Sequence, residues 1–120
     1  MSIKATTTRN GTIGLIEVRG SLIGDGDTDQ LRSAVADFLE QGILRLVINL
    51  QKVNYLNSSG IGAIIAAHAS YKKNAGEVKV SGVSGNVQNL LAVTKLIDIF
   101  DVYDTPNEAV EAFVKVDSLS

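Results

Sequence analysis

The sequence predicts an α/β domain built on a mixed, largely parallel β-sheet with an N-terminal antiparallel hairpin and about four α-helices. The first observation is the order of the periodic segments, in which two strands are followed by alternating helices and strands. Such alternation is typical of crossover connections between parallel strands. The second is residues 43–50, "ILRLVINL", an almost unbroken apolar and β-branched run expected of a strand covered on both faces.

Glycine and the single proline separate the elements. Asn10-Gly11 predicts a hairpin turn between the first two strands, and apolar residues at helical spacing predict a helix over 27–42, with Asp27 as its N-cap. The later elements are a helix from Ser58 to about Asn74, a strand over 77–83, a helix over 84–96, a strand over 99–104 and a helix capped by Thr105. Side chains expected on the apolar sides of these elements are Ile13, Leu15, Val18, Leu31, Val35, Phe38, Leu39, Val87, Leu90, Leu91 and Thr94.

The composition describes an ordinary globular domain and argues against several functions. With 120 residues, 45% of them hydrophobic, the chain predicts a single domain over 1–120 with a core over about 3–116. A net charge of −2 argues against nucleic-acid binding, and the lack of cysteine excludes disulfides and thiolate metal sites. No apolar stretch reaches the ~20 residues of a membrane span, and the first ten residues lack a signal-peptide core, so a cytoplasmic protein without membrane contact is expected.

Residues 55–65, "YLNSSGIGAII", place two hydroxyls and two glycines before an apolar helix. The simplest interpretation is capping, in which Asn57 or Ser58 accepts a backbone hydrogen bond worth about 1 kcal/mol. Gly60 and Gly62 would each cost up to about 1 kcal/mol relative to alanine in the first turns. Glycine suits a backbone that lies close to another group or stays bare for a partner, so capping leaves the glycine-flanked hydroxyls unexplained.

A catalytic serine is a second interpretation, and geometry argues against it. A nucleophilic serine needs a base within hydrogen-bond reach, and His68 is the single histidine of the chain. On one helix, Ser58 and His68 are separated by roughly 15 Å along the axis. His68 follows Ile64 and Ile65 at helical spacing and is predicted to lie at the edge of the core, so no catalytic residue is predicted.

A third interpretation makes the hydroxyl an acceptor for a phosphoryl group. A phosphate in the first turn would meet free backbone N–H groups and the positive end of the helix dipole, so its charge of about −1.5 to −2 would cost the fold little. The same charge would oppose any partner that has to desolvate this spot on docking. The residues alone leave capping and phosphoryl acceptance both open.

The "DGDTD" segment resembles the start of a calcium-binding loop. Asp25, Asp27 and Asp29 match the first three ligand positions of an EF-hand, but Gln30 and Ala36 occupy the places of the required glycine and glutamate. The segment is therefore interpreted as the acidic first turn of a helix, and no metal site is predicted.

The ordered set of motifs resembles STAS domains of the anti-sigma factor antagonist type. The segment "LVINLQKVNYLNSSGIGAII" resembles their signature, an apolar strand ending in D or N followed by L, a short loop, and then D-S-S-G-[LI]-G. The likeness extends over nearly the whole chain through "RGSL", "LRSAVADFLEQG", "NAGE" with "VKVSGV", and "DTPNEAVEAF". No single piece is specific, but their order in a chain of this length is.

The resemblance implies a non-enzymatic bacterial protein that binds an anti-sigma factor with serine kinase activity and so frees the sigma factor. The kinase phosphorylates the first serine of the motif, which ends binding, and a metal-dependent serine phosphatase restores it. By position the acceptor is Ser58, with Ser59 less favoured. No cofactor is implied, and a weak homodimer is compatible with this interpretation. The implied partner surface comprises Asn57, Ser58, Ser59, Gly60, Ile61, Ser21, Ile23, Gly24, Asp25 and Asp27.

The chain departs from the family pattern at two places. Asn57 replaces the usual aspartate, which keeps a cap but removes one negative charge beside the acceptor. The loop after the second strand reads "GSLIGDGDTD" in place of G-E-L-D, one residue longer. Two alternatives therefore stay open: an adaptor or scaffold subunit of the same fold that is not phosphorylated, and a small-molecule or nucleotide-binding module that uses the glycine-rich loop over 21–27.

Overall fold

The computed structural model describes residues 2–22, 25–83, 85–93, 95 and 98–119, without the side chains of residues 21–22, 25, 27, 86 and 116–119. In these residues the chain forms one five-stranded sheet and four helices, in the predicted order. The elements are β1 (Ser2–Thr8), β2 (Ile13–Leu22), α1 (Asp25–Glu40), β3 (Arg45–Leu56), α2 (Ser58–Lys73), β4 (Glu77–Ser81), α3 (Gly85–Val93), β5 (Asp101–Tyr103) and α4 (Pro106–Leu119).

The sheet is mixed, as the sequence predicts. Its strands lie in the order β1-β2-β3-β4-β5, with β1 antiparallel to β2 and every other pair parallel. The hairpin turns through Asn10 and Gly11, which have φ values of +60° and +79°. Because parallel strands end at one edge of the sheet, the helices that follow them begin at that edge.

The helices form two layers around the sheet. Helices α1, α2 and α3 cover one face, and α4 covers part of the other. The central strands are therefore buried on both sides, as the apolar run over 43–50 predicts. The larger core is centred on Ile16, Val18, Leu46, Ile48, Phe38, Ile64 and Leu91, and the smaller one comprises Ile13, Val47, Ala109, Val110 and Phe113.

Strand β3 is longer than the sequence predicts, because it continues from Leu50 to Leu56 through the segment that the resemblance assigns to a loop. Its pairing with β2 shifts register twice, from Glu17 opposite Asn49 to Arg19 opposite Lys52, and again after Gly20. Each shift inserts an extra residue in β3, as in a β-bulge. As a result Val53 and Leu56, three positions apart, both belong to the larger core.

Several element boundaries also differ from the prediction. Helix α1 begins at Asp25, so Asp27 lies in its acidic first turn and the prediction that it is the N-cap is wrong. Helix α3 ends at Val93, and Thr94 lies outside the described residues. At the start of α4, the Glu108 amide donates to Thr105 Oγ1 at 3.1 Å, which confirms that cap.

The Asn49 side chain is a polar group buried on the sheet face that α4 covers. It lies where β4 ends and the neighbouring strand β3 continues. Asn49 Oδ1 accepts hydrogen bonds from the Gln51 amide and from Ser81 Oγ, both at 3.2 Å. The next residue, Gly82, has a φ of +73°, and a Cβ there would lie 2.6 Å from both Asn49 Oδ1 and the Gln51 nitrogen. The hydrogen bond from Ser81 Oγ to Asn49 Oδ1 therefore holds the end of β4 against β3.

A buried lysine lies beside this group. Lys79 Nζ donates to Asp101 Oδ2 at 2.9 Å, lies 3.5 Å from Glu77 Oε1, and is 4.7 Å from the centroid of the Phe113 ring. Burial acts to lower the pKa of Lys79, but the hydrogen bond to Asp101 and the charge of Glu77 outweigh it and raise the pKa. The same hydrogen bond holds the pKa of the Asp101 carboxyl below its usual value.

Candidate functional site at the start of helix α2

Asn57 is the N-cap of α2, and it is one of the two residues that the sequence predicts as the cap. Asn57 has extended backbone angles (φ −107°, ψ −172°), and its Oδ1 accepts a hydrogen bond from the Gly60 amide at 3.1 Å. Its carbonyl oxygen accepts the Ile61 amide at 2.9 Å, the first bond of the helix. Since Asn57 meets the capping requirement, the fold does not need either serine hydroxyl as a cap.

Ser58 and Ser59 are the first two residues of α2, and both side chains are exposed. Within the described part of the chain, neither hydroxyl forms a hydrogen bond. Their own backbone N–H groups lie in the first turn, where helical N–H groups have no partner within the helix. The arrangement leaves two hydroxyls accessible to a macromolecule at the positive end of a helix dipole.

The two glycines of the motif have different surroundings. Gly60 is buried, whereas Gly62 is half-buried and a Cβ built on it would meet nothing within 4 Å. Packing among the described residues therefore does not require glycine at position 62. Ile61 between them is half-buried and packs against the larger core.

Strand β2 ends beside the serines. In the register of the sheet, Ser21 lies opposite Tyr55 and Leu22 opposite Leu56, two residues before Ser58. The end of β2 therefore lies next to the part of β3 that leads into α2. Of the predicted partner surface, Ile23 and Gly24 lie outside the described residues, as do the side chains of Ser21, Asp25 and Asp27.

Tyr55 is a residue of this site that the sequence analysis missed. Its side chain is 54% exposed, between the buried residues Leu56 and Val53 of the bulged strand. Tyrosine is enriched among the residues that contribute most to binding at protein interfaces. No pattern in the sequence could have found it. The side of the strand that Tyr55 occupies depends on the second register shift, and that shift depends on pairing with β2.

His68 lies where the sequence predicts, at the edge of the core. It is half-buried in the middle of α2, and its ring meets the Phe100 ring edge-on with the centroids 5.3 Å apart. The described residues contain no group of three or more histidine, aspartate or glutamate side chains that could hold a metal ion. None of the described helices combines the length and the apolar character needed to cross a membrane.

The α/β architecture and the Asn-Ser-Ser-Gly helix start with its two exposed serines define a domain class, and comparison with known families identifies it. The model of the STAS domain matches residues 4–109. The chain belongs to the STAS domain family.

Relatives and solved structures extend this result. The chain is similar to the anti-sigma-B factor antagonist of Staphylococcus aureus, with 27% identity over 103 residues that cover 85% of this chain and 94% of the relative. Its fold matches the phosphorylated form of the Bacillus cell fate determinant SpoIIAA, with a TM-score of 0.74, 18% identity and coverage of 93% and 99%. It also matches a sulfate transporter family protein from Wolinella succinogenes, with a TM-score of 0.76, 19% identity and coverage of 96% and 93%.

Proposed function

We propose that this chain is an anti-sigma factor antagonist that binds an anti-sigma factor kinase and is released when Ser58 is phosphorylated. A serine phosphatase restores binding, and the protein acts in the cytoplasm without catalysing a reaction itself. The observation that carries the proposal is the exposure of the Ser58 hydroxyl at a helix start that Asn57 already caps. The similarity to an anti-sigma-B factor antagonist over most of both chains supports the choice of partner.

The local electrostatics favour a phosphate on Ser58 over one deeper in the helix. The free N–H groups of the first turn and the helix dipole stabilise an anion at this end. Asn57 caps the helix without a charge, so a phosphate at Ser58 would have no carboxylate repelling it from the preceding residue. Modification is therefore expected to leave the free energy of unfolding nearly unchanged.

The same phosphate would act strongly on a docked partner. A surface formed by Asn57–Ile61, Tyr55 and the start of α1 would place Ser58 near its centre. Burying nearly two negative charges there without a matching cation costs several kcal/mol, which is enough to dissociate a typical regulatory complex. The switch thus acts on the interface and spares the fold.

Phosphorylation by the anti-sigma factor kinase of the same organism, with Mg·ATP and peptide mapping by mass spectrometry, tests the assignment. The parent and Ser59→Ala should each acquire one phosphate, located on Ser58. Ser58→Ala is the matched variant and should acquire none. If Ser58→Ala is modified as completely as the parent, the acceptor is another residue and the proposal fails.

A second candidate is an adaptor subunit whose binding is not regulated at Ser58. The match of this fold to a sulfate transporter family protein favours it, because the STAS architecture also occurs outside the antagonists. In that case kinase and phosphatase treatment would leave the capture of the protein's partner unchanged.

A further inference from the structure

Strand β1 presents an unpaired edge. In the described part of the chain, β1 pairs with β2 along Ser2–Thr8, and no strand adds to its other side. Native edge strands are usually shortened, bulged, or protected by proline or by charged side chains, especially lysine, because free N–H and C=O groups recruit further strands. Strand β1 carries one such residue, Lys4, but it has seven residues in continuous register without proline, and it ends in three consecutive threonines, which favour strands.

A groove runs along this edge between β1 and α1. It consists of two adjoining hollows of about 440 and 350 Å³, which share Ala5, Ala34 and Asp37 in their walls. Ile3 lies near the start of the groove beside Asp29, and Thr7 lies near its end beside Gln41. Strand and helix therefore run side by side, and the walls of the groove combine residues of β1 with residues of α1.

The charge lining the groove is negative. Asp29 and Asp37 are both exposed on the helical wall, and the described lining residues include no cation. The single lysine of the strand, Lys4, lies opposite Glu17 in the register, on the other face of the sheet from Ile16 and Val18. An occupant of the groove would thus meet two carboxylates and, among the described lining residues, no compensating positive side chain.

The spacing of the two carboxylates matches an extended chain. Asp29 and Asp37 are eight residues apart on a helix, or about 12 Å. Residues four apart on a β-strand are separated by about 13 Å and point to the same side. A second copy of β1, paired symmetrically about Ala5, would bring Ile3, Ala5 and Thr7 to this wall and no cation. Charge complementarity therefore favours a different occupant.

We propose that the outer edge of β1 binds an extended basic peptide segment of another protein, which adds a strand to the sheet and places Lys or Arg side chains four residues apart against Asp29 and Asp37. Main-chain hydrogen bonds supply the affinity, and the two carboxylates select the charge. This surface lies at the β1 edge of the sheet and is independent of the proposed switch at Ser58.

The test uses the full chain and a labelled, end-blocked peptide, Thr-Lys-Thr-Val-Thr-Lys-Thr, with a twin in which both lysines are glutamate. The lysine peptide should bind at least about tenfold more tightly than the glutamate twin. It should also slow amide hydrogen exchange in Ser2–Thr8. The double variant Asp29→Asn/Asp37→Asn should weaken binding about threefold to tenfold, as expected of two exposed ion pairs.

Matched controls distinguish binding at this site from nonspecific attraction of a basic peptide to an acidic protein. Asp98→Asn/Asp104→Asn removes the same charge from exposed positions near the opposite edge and should bind the lysine peptide like the parent. Ser58→Asp should also bind it like the parent. Equal affinity for the two peptides, or unchanged exchange in β1, would overturn the proposal. A concentration-dependent dimer that protects β1 without any peptide would assign the edge to a second copy and overturn it as well.

Discussion

Two serines of this domain lie near the ends of neighbouring strands of one sheet and have opposite surroundings. Ser81, at the end of β4, is 0% exposed and donates to Asn49 Oδ1. Ser58, two residues after the end of β3, is exposed, and Asn57 caps the helix in its place. Ser81 therefore belongs to the structure, whereas Ser58 is left available for a partner or a modifying enzyme. The comparison therefore predicts that a change of charge is tolerated by the fold at Ser58 and not at Ser81.

The same substitution at both serines should give the largest difference in the free energy of unfolding between two variants. Ser81→Asp would bury a carboxylate beside the Asn49 carbonyl oxygen and should lower the free energy of unfolding by about 3–5 kcal/mol. Ser58→Asp places its charge at a helix start and should change stability by less than about 0.5 kcal/mol. Urea denaturation of both variants and the parent measures the difference. Equal losses at the two positions would show that Ser58 is structural after all.

Two glycines with similar backbone angles allow a second comparison. Gly82 and Gly42 have φ values of +73° and +78°, but a Cβ at Gly82 would collide with Asn49 and Gln51, and one at Gly42 would meet nothing within 4 Å. Gly42→Ala should cost about 1 kcal/mol from the backbone alone, and Gly82→Ala about 3 kcal/mol. Thermal unfolding of the pair isolates the collision, and indistinguishable midpoints would contradict the packing described around Asn49.

Two asparagines sharpen the comparison further. Asn49 Oδ1 accepts two hydrogen bonds in the interior, and Asn57 Oδ1 accepts one at a half-exposed helix start. Asn49→Ala leaves the buried Ser81 hydroxyl and the partly buried Gln51 backbone N–H without this acceptor and should cost about 2–3 kcal/mol, whereas Asn57→Ala loses one cap and should cost about 1 kcal/mol. Chemical denaturation gives both values. A larger loss at Asn57 would mean that the start of α2 is more important for the fold than its exposure suggests.

The ion pair of the buried Lys79 with Asp101 predicts how folding stability depends on pH. Because Lys79 lowers the pKa of Asp101, the ionised carboxyl stabilises the folded state above its ordinary pKa, and this contribution is lost as the pH falls through the lowered value. Asp101→Asn should therefore cost about 1 kcal/mol near neutral pH, since Asp101 is partly exposed, and progressively less in acid. Stability curves of the two proteins that stay parallel from neutral to acid pH would contradict this ion pair.

Much of this molecule could be predicted from local patterns. The order of the elements, the hairpin at Asn10-Gly11, the start of α2 and the Thr105 cap depend on residues close together in sequence, and the structure bears them out. The extension of β3 could not be predicted, because the bulges that keep Val53 and Leu56 in one core depend on pairing with β2. The polar contacts of Asn49 and Lys79 were missed for the same reason, since their partners lie far along the chain.

The candidate site shows the same division. The positions of Asn57, Ser58 and Ser59 follow from the capping signal before an apolar helix, whereas the exposure of Tyr55 follows from a register shift in the sheet. Local sequence fixes where the hydroxyls lie, and tertiary pairing fixes what surrounds them.

Parallel titrations of the anti-sigma factor into the unmodified and the Ser58-phosphorylated protein, each also unfolded in urea, test the central claim most directly. The account predicts that phosphorylation weakens binding by about thirtyfold or more while the free energy of unfolding stays within about 0.5 kcal/mol of the unmodified value. Unchanged affinity, or a loss of binding matched by a comparable loss of folding stability, would contradict it.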